Sequence, residues 1–168
     1  MTKLLLVRHG ETVDNARQIM QGQTQGALNE TGWQQARELA RQLKDESIDA
    51  FVASDLQRSL DTCRLLAEPH GRQVVTTPLL RERDWGGFTG LYIPDLKGKP
   101  WPDDVESLPD LLQRARNFLL FIKQHYPDQT VVAVGHGIIN KAIQAVYHNK
   151  QMKEVERMTN CEVRILNL

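Results

Sequence analysis

Two histidines in this chain stand where an apolar run ends in glycine: Leu4-Leu5-Leu6-Val7 runs into Arg8-His9-Gly10, and Thr130 to Val134 runs into Gly135-His136-Gly137. An imidazole near neutral pH can serve as nucleophile, base or metal ligand, and the planar donor fork of Arg8 suits a phosphate. If the two runs are neighbouring strands, His9 and His136 meet across one edge of a sheet. Gly137 would then leave backbone N–H groups at a helix start free to meet an anion. A pair of metal ligands is the rival reading. It finds no third ligand at a convincing spacing, because His70, His125 and His148 fall at predicted helix ends, where imidazoles meet exposed carbonyls. A dianionic phosphoryl group needs several converging cations and N–H donors. Arg8, Arg58 and a protonated His136 would supply them. Taken alone, Arg58 reads as an exposed helical charge and Glu82, set among arginines in Leu80-Arg81-Glu82-Arg83, as a solvated loop charge.

The elements that must position these groups follow from patterning. Short apolar runs bounded by turn residues read as buried strands at Leu4–Val7, 48–53, 74–75, 130–134 and 162–166. Helical spacing appears in Trp33, Ala36, Leu39, Ala40 and Leu43 behind an Asn29 N-cap, and in Leu56, Leu60, Cys63 and Ala67 behind Ser54-Asp55. It returns in Leu111 to Ile122 after Ser107 and Pro109, and in Ile138 to Val146. A short charged helical stretch is predicted at 152–158. Between Arg81 and Pro109, prolines and glycines interrupt every period, which predicts an irregular surface excursion. Strands alternating with amphipathic helices predict an α/β fold, a three-layer α/β/α sandwich with a mostly parallel central sheet. Ligands of such sheets sit at the carboxyl ends of the strands.

At 168 residues the chain suits one domain with one well-buried core. Lys plus Arg and Asp plus Glu both number 21, so no overall basic field draws it to nucleic acid or to a membrane surface, and any anion binding is local. No apolar run reaches spanning length. Met1-Thr2-Lys3 leads into the first strand without a cationic leader or small-residue cleavage site, which predicts a cytoplasmic protein. Cys63 and Cys161 are too few and too far apart for a disulfide framework.

With these residues assembled, the chain resembles the histidine phosphatase superfamily, the phosphoglycerate-mutase-like fold. The resemblance runs from Leu4 to about Leu166 through five elements in order: Arg8-His9-Gly10-Glu11-Thr12 with Asn15; Leu28-Asn29-Glu30-Thr31-Gly32; Ser54-Asp55-Leu56-Gln57-Arg58; Leu80-Arg81-Glu82 with Gly86, Phe88 and Gly90; and Val134-Gly135-His136-Gly137. It implies that His9 is the nucleophile, forming a phosphohistidine and splitting one hydrolysis into two easier steps. A neutral His9, its other nitrogen fixed by nearby backbone, is expected. Arg8, Arg58 and His136 would hold the phosphoryl oxygens, with Asn15 and the Gly137 N–H as further donors. Glu82 would protonate the departing alkoxide and later take a proton from water. Arg81 and Arg83 are expected to point away from it. Neither metal nor cofactor is required.

Thr89 stands where many relatives carry glutamate, and Gln25-Gly26-Ala27 replaces a common aspartate and proline. Neither departure touches the implied catalytic set. Mutases of the superfamily carry long insertions that retain a bisphosphorylated intermediate, whereas only a short lid at 83–109 is available here. The expectation is therefore a phosphatase of the histidine acid type, a phosphoric monoester hydrolase acting on small-molecule phosphate esters. Gln23, Trp85, Phe88, Tyr92 and Trp101 are candidate pocket walls. The alternatives are phosphoglycerate-mutase-type transfer, or an idle member that binds a phosphorylated ligand or a protein.

Overall fold

A computed structural model describes the whole chain, Met1–Leu168. Its centre is a five-stranded sheet of β1 (Lys3–Arg8), β2 (Ala50–Ala53), β3 (Val74–Thr76), β4 (Thr130–Gly135) and β5 (Val163–Asn167) in the order β3-β2-β4-β1-β5. The first four in that order are mutually parallel, and β5 runs antiparallel along β1. The side-chain period of two sorts β1 between two cores. Leu4 and Leu6 join Val131 and Ala133 of β4 under α4 (Leu108–His125) and α5 (Gly137–His148). Leu5 and Val7 join Val132 and Val134 under α2 (Glu30–Leu43) and α3 (Gln57–Ala67). Strands buried on both faces read as unbroken apolar runs, and full burial of each such side chain contributes about 1.5–3 kcal/mol. The three-layer α/β architecture read from the sequence is what the structure has.

Caps set several boundaries. The Asn29 side chain accepts the Gly32 N–H to open α2, and Ser107 accepts the Asp110 N–H to open α4. A short helix, α1 (Val13–Arg17), follows Thr12, whose side chain exchanges bonds with Asn15 in a capping box. Two expectations need correction. Helix α3 begins after Leu56 without a side-chain cap: Ser54 Oγ accepts the Leu56 N–H, and Asp55 instead binds Arg81. The stretch at 152–158 holds only a single 3₁₀ turn, Met152–Glu154. The excursion from 81 contains two 3₁₀ turns, Gly86–Phe88 and Ile93–Leu96, and is pinned to the 18–20 segment by Met20 N–H to Leu91 O, Gly90 N–H to Met20 O and Ile93 N–H to Gln18 O. No helix is long and apolar enough to cross a membrane.

Candidate active site

Register brings the chemistry together. Arg8 pairs with Gly135 and Ala53 with Val134, so His9, His136 and Ser54 each lie one residue beyond three adjacent parallel strands. The rings of His9 and His136 approach edge to face with centroids 5.0 Å apart. Gly10 is required for close approach rather than for a turn: a Cβ there would lie 2.6 Å from the Gly32 carbonyl oxygen at the start of α2. Gly10 N–H donates to Thr62 Oγ1, and the Thr62 hydroxyl donates to Arg58 O, which ties the loop after β1 to α3.

His9 is almost fully buried. Its Nδ1 lies 2.6 Å from Gly10 O, so Nδ1 carries the hydrogen and Nε2 keeps its lone pair. Burial, the positive charge of Arg58 and then those of Arg8 and Arg157 push its pKa well below the ordinary 6.5. Burial, Arg58 and His9 do the same to His136. The cationic His136 envisaged from the sequence is thus a neutral ring in the free protein. It sits behind His9, fully buried, with Nε2 2.7 Å from Ser54 Oγ. Ser54 Oγ accepts from Leu56 N–H and can give its own hydrogen to His136 Nε2; in that tautomer Nδ1 of His136 is an N–H donor. That Nδ1 has no partner in the molecule.

Arg58 is not an exposed helical charge. It is 1% exposed, and its guanidinium donates to the carbonyls of Gly22 (2.7 Å), Thr24 (2.5 Å) and Gln25 (3.2 Å). Gly26, with φ +68°, makes room for it: a Cβ there would come within 3.1 Å of Arg58 Nη1. Arg8 donates to Met158 O at 2.8 Å. Burial lowers both arginines to about 10, so both remain cationic at neutral pH. Their Nε–H groups are buried without partners, as is His136 Nδ1. Leaving a buried donor unpaired costs about 1–3 kcal/mol, and Arg8 and Arg58 line one cavity with His9, whose ring His136 touches.

Glu82 is also no free loop charge. Its Oε1 accepts N–H bonds from Arg83 (2.8 Å) and Ile139 (3.0 Å), and Oε2 accepts one from Ile138 (3.0 Å). The group at the α5 N-terminus is therefore the Glu82 carboxyl, a further change from the expectation that those N–H groups stand free; Oε2 keeps a lone pair. Arg114 of α4 holds the segment from behind through Leu79 O, Arg81 O and Glu82 O and is itself paired with Glu106 at 2.8 Å. Arg81 turns to Asp55, and Arg83 lies over Trp85 and Trp101, 5.0 and 5.1 Å from their rings. Arg81 is thus turned from Glu82, as expected, whereas Arg83 has other partners but still feels the Glu82 charge.

A cavity of about 270 Å³ opens over this edge, bounded by Arg8, His9, Asn15, Arg58, Glu82, Trp85 and Gly137 among others. Asn15 reaches it although its Oδ1 is engaged by Thr12 N–H. Gln23 does not: its side chain donates to Glu82 O, while Gln21 and Gly22 line the wall. Phe88 is buried under the excursion, and Tyr92 and Trp101 are largely exposed, so of the aromatic candidates only Trp85 lines the cavity. Ser54, Thr62, Arg114 and Arg157 escaped the sequence reading. Nowhere do three His, Cys, Asp or Glu side chains gather as a metal-binding group.

A family model described as histidine phosphatase superfamily (branch 1) matches residues 4–168. The chain is 38% identical over 141 residues to an uncharacterized phosphatase of Bacillus subtilis, spanning 82% of this chain and 72% of that protein. It is 31% identical over 185 residues to a metal-independent phosphoserine phosphatase of Arabidopsis thaliana, spanning 100% of this chain and 77% of that one. A solved mycobacterial glucosyl-3-phosphoglycerate phosphatase, complexed with VO3, aligns with a TM-score of 0.89 at 30% identity over 98% of this chain and 92% of its own.

Proposed function

Because the chain belongs to the histidine phosphatase superfamily, branch 1, we propose that it is a metal-independent phosphatase that hydrolyses small phosphate monoesters through a phosphohistidine on His9. The observation that carries this reading is the set of unpartnered buried donors, Arg8 Nε, Arg58 Nε and His136 Nδ1, gathered about a neutral histidine whose Nε2 is free to attack. In the first step Nε2 of His9 forms a bond to phosphorus as the ester P–O bond breaks, and Glu82 passes a proton from its carboxyl to the departing oxygen. Arg8, Arg58 and the N–H of His136, with Asn15 and Gly137 N–H at the rim, hold the equatorial oxygens as charge builds. In the second step the Glu82 carboxylate takes a proton from water as that water attacks phosphorus, releasing phosphate and restoring His9.

Supporting relatives are the metal-independent phosphoserine phosphatase of Arabidopsis and the mycobacterial glucosyl-3-phosphoglycerate phosphatase. Residues 83–109, pinned to segment 18–20, act as a short lid over a single domain, and so small a cover favours hydrolysis over transfer back. The histidine acid-type label expected from the sequence belongs to a different branch of the superfamily, and the relatives support a phosphatase. A cytoplasmic location belongs to the same reading. Turnover of p-nitrophenyl phosphate in excess EDTA, lost by about 1,000-fold or more in His9→Ala, tests the reading; EDTA-sensitive turnover, or a fully active His9→Ala, contradicts it.

A further inference from the structure

One cation at the cavity remains unused. Arg157 lies just before β5, joins no ion pair and makes no side-chain hydrogen bond. A Cβ built on Gly137 would meet Arg157 Nε at 3.3 Å, Arg157 Nη2 at 3.4 Å and Arg8 Nε at 3.5 Å, so the two guanidinium groups lie side by side over the bare α carbon at the start of α5. Like charges held this close without an anion between them repel. The charge of Arg157 acts on both Arg8 and His9, and Arg157 lines the adjoining cavity as well as the first, which Arg58 and His9 do not.

A second cavity of about 540 Å³ begins where Arg157 stands. It shares Arg8, Asn15, Ile19, Ile93 and Arg157 with the first and continues toward Asn160. Glu11, the one acidic group on its wall, is engaged by Asn29 Nδ2 at 3.1 Å. The Asn160 amide hydrogens are spent on His9 O and Asn15 Oδ1. Arg157 is thus the uncommitted charged donor between the reacting phosphate and this adjoining space.

Building on the phosphatase reading, we propose that Arg157 binds a second anionic group, a carboxylate or a second phosphate, carried by the alcohol part of the substrate in the adjoining cavity. The ester oxygen leaves toward that cavity, and Arg157 selects short, doubly anionic monoesters over those with neutral alcohols. Asn15 and Ile19, common to both spaces, flank the connecting chain. Arg157 is a specificity residue; bond breaking rests on the clamp and Glu82.

The test uses 3-phosphoglycerate and glycerol 3-phosphate, which differ by a carboxylate against a hydroxymethyl group, with glycerol 1,3-bisphosphate, which carries a second phosphate and no carboxylate, as the second-phosphate arm. In Arg157→Gln the ratio of kcat/KM for 3-phosphoglycerate over glycerol 3-phosphate falls by about 10–100-fold, mostly through KM, as loss of a charge-assisted hydrogen bond requires. Arg157→Lys restores part of the ratio. An unchanged ratio overturns the proposal, because Arg157 then serves the phosphoryl group or nothing. Calorimetric binding of the same three compounds to His9→Ala, with and without Arg157→Gln, separates this from the function itself. A preference for a doubly anionic ligand that Arg157→Gln abolishes upholds the inference even if the wild type hydrolyses none of them, in which case the phosphatase reading falls alone. Equal binding of all three overturns the inference whatever the turnover. The larger preference, for carboxylate or for second phosphate, identifies the group.

Discussion

Holding two buried histidines neutral makes the fold sensitive to acid, and the size of the effect can be worked out. Burial first, then the charge of Arg58, keeps His9 and His136 from taking a proton in the folded state, while in the unfolded chain each has a pKa near 6.5. Arg8 and Arg58, lowered only to about 10, stay charged throughout and keep opposing the proton. A base whose folded pKa is depressed leaves stability intact above its unfolded pKa; as pH falls below that value the unfolded chain binds protons the folded chain refuses, and stability is lost. Between about pH 7.5 and about pH 5 the loss per histidine approaches RT ln(33/1.1), about 2 kcal/mol, or about 4 kcal/mol for the pair when neither ring protonates in the native state. The assay is urea unfolding at both pH values for the wild type and a His9→Asn, His136→Asn double variant. The double variant removes these two titrations and leaves every other one in place. We predict that the wild type loses more than the double variant, by at most about 4 kcal/mol, and that each single variant recovers part of this. Equal losses in wild type and double variant would refute the neutral pair and the donor arrangement derived from it.

Other substitutions probe separate parts of the site. Glu82→Gln should lower kcat by about 100–10,000-fold on an alkyl phosphate and far less on p-nitrophenyl phosphate, whose leaving group needs no proton; comparing the two substrates in steady-state assays reads this. Gly10→Ala should cost about 1–3 kcal/mol in chemical denaturation, because its Cβ would sit 2.6 Å from the Gly32 carbonyl oxygen and β1 and α2 must part to admit it. Ser54→Ala strips His136 Nε2 of its partner and should cost about 1–3 kcal/mol of stability with a fall in kcat, both largely recovered in Ser54→Thr.

The framework of the site was legible because its strands are covered on both sides. Leu4 to Val7 and Val131 to Val134 have no polar face to disguise them, and the abrupt change to His-Gly marks where each strand leaves the core. Their adjacency, only a condition in the sequence, comes from the β1–β4 pairing of the folded chain, and with it the pairing of His9 with His136. Other features depend on contacts that sequence patterning does not encode. Arg58 looks like any charged residue in a first helical turn until the carbonyls of 22–25 fold around it. Glu82 gains its place from two N–H groups more than fifty residues downstream. Gln23 was placed in the pocket and in fact braces Glu82 from outside, because the turn at Gly22, with φ +53°, decides which of 21, 22 and 23 faces inward. Arg157 falls in the stretch expected to be helical, which turns out to hold a single 3₁₀ turn, and only the folded chain sets it beside Arg8.

The central claim, that His9 carries the phosphoryl group, is tested most directly by rapid mixing with substrate, quenching under alkaline conditions that preserve phosphohistidine, and mapping the modified peptide by mass spectrometry. The account predicts one phosphoryl group on the peptide containing His9, formed and lost at rates no slower than turnover and absent in His9→Ala. Full turnover with no phosphoryl group on His9, or with the label on another residue, would contradict it.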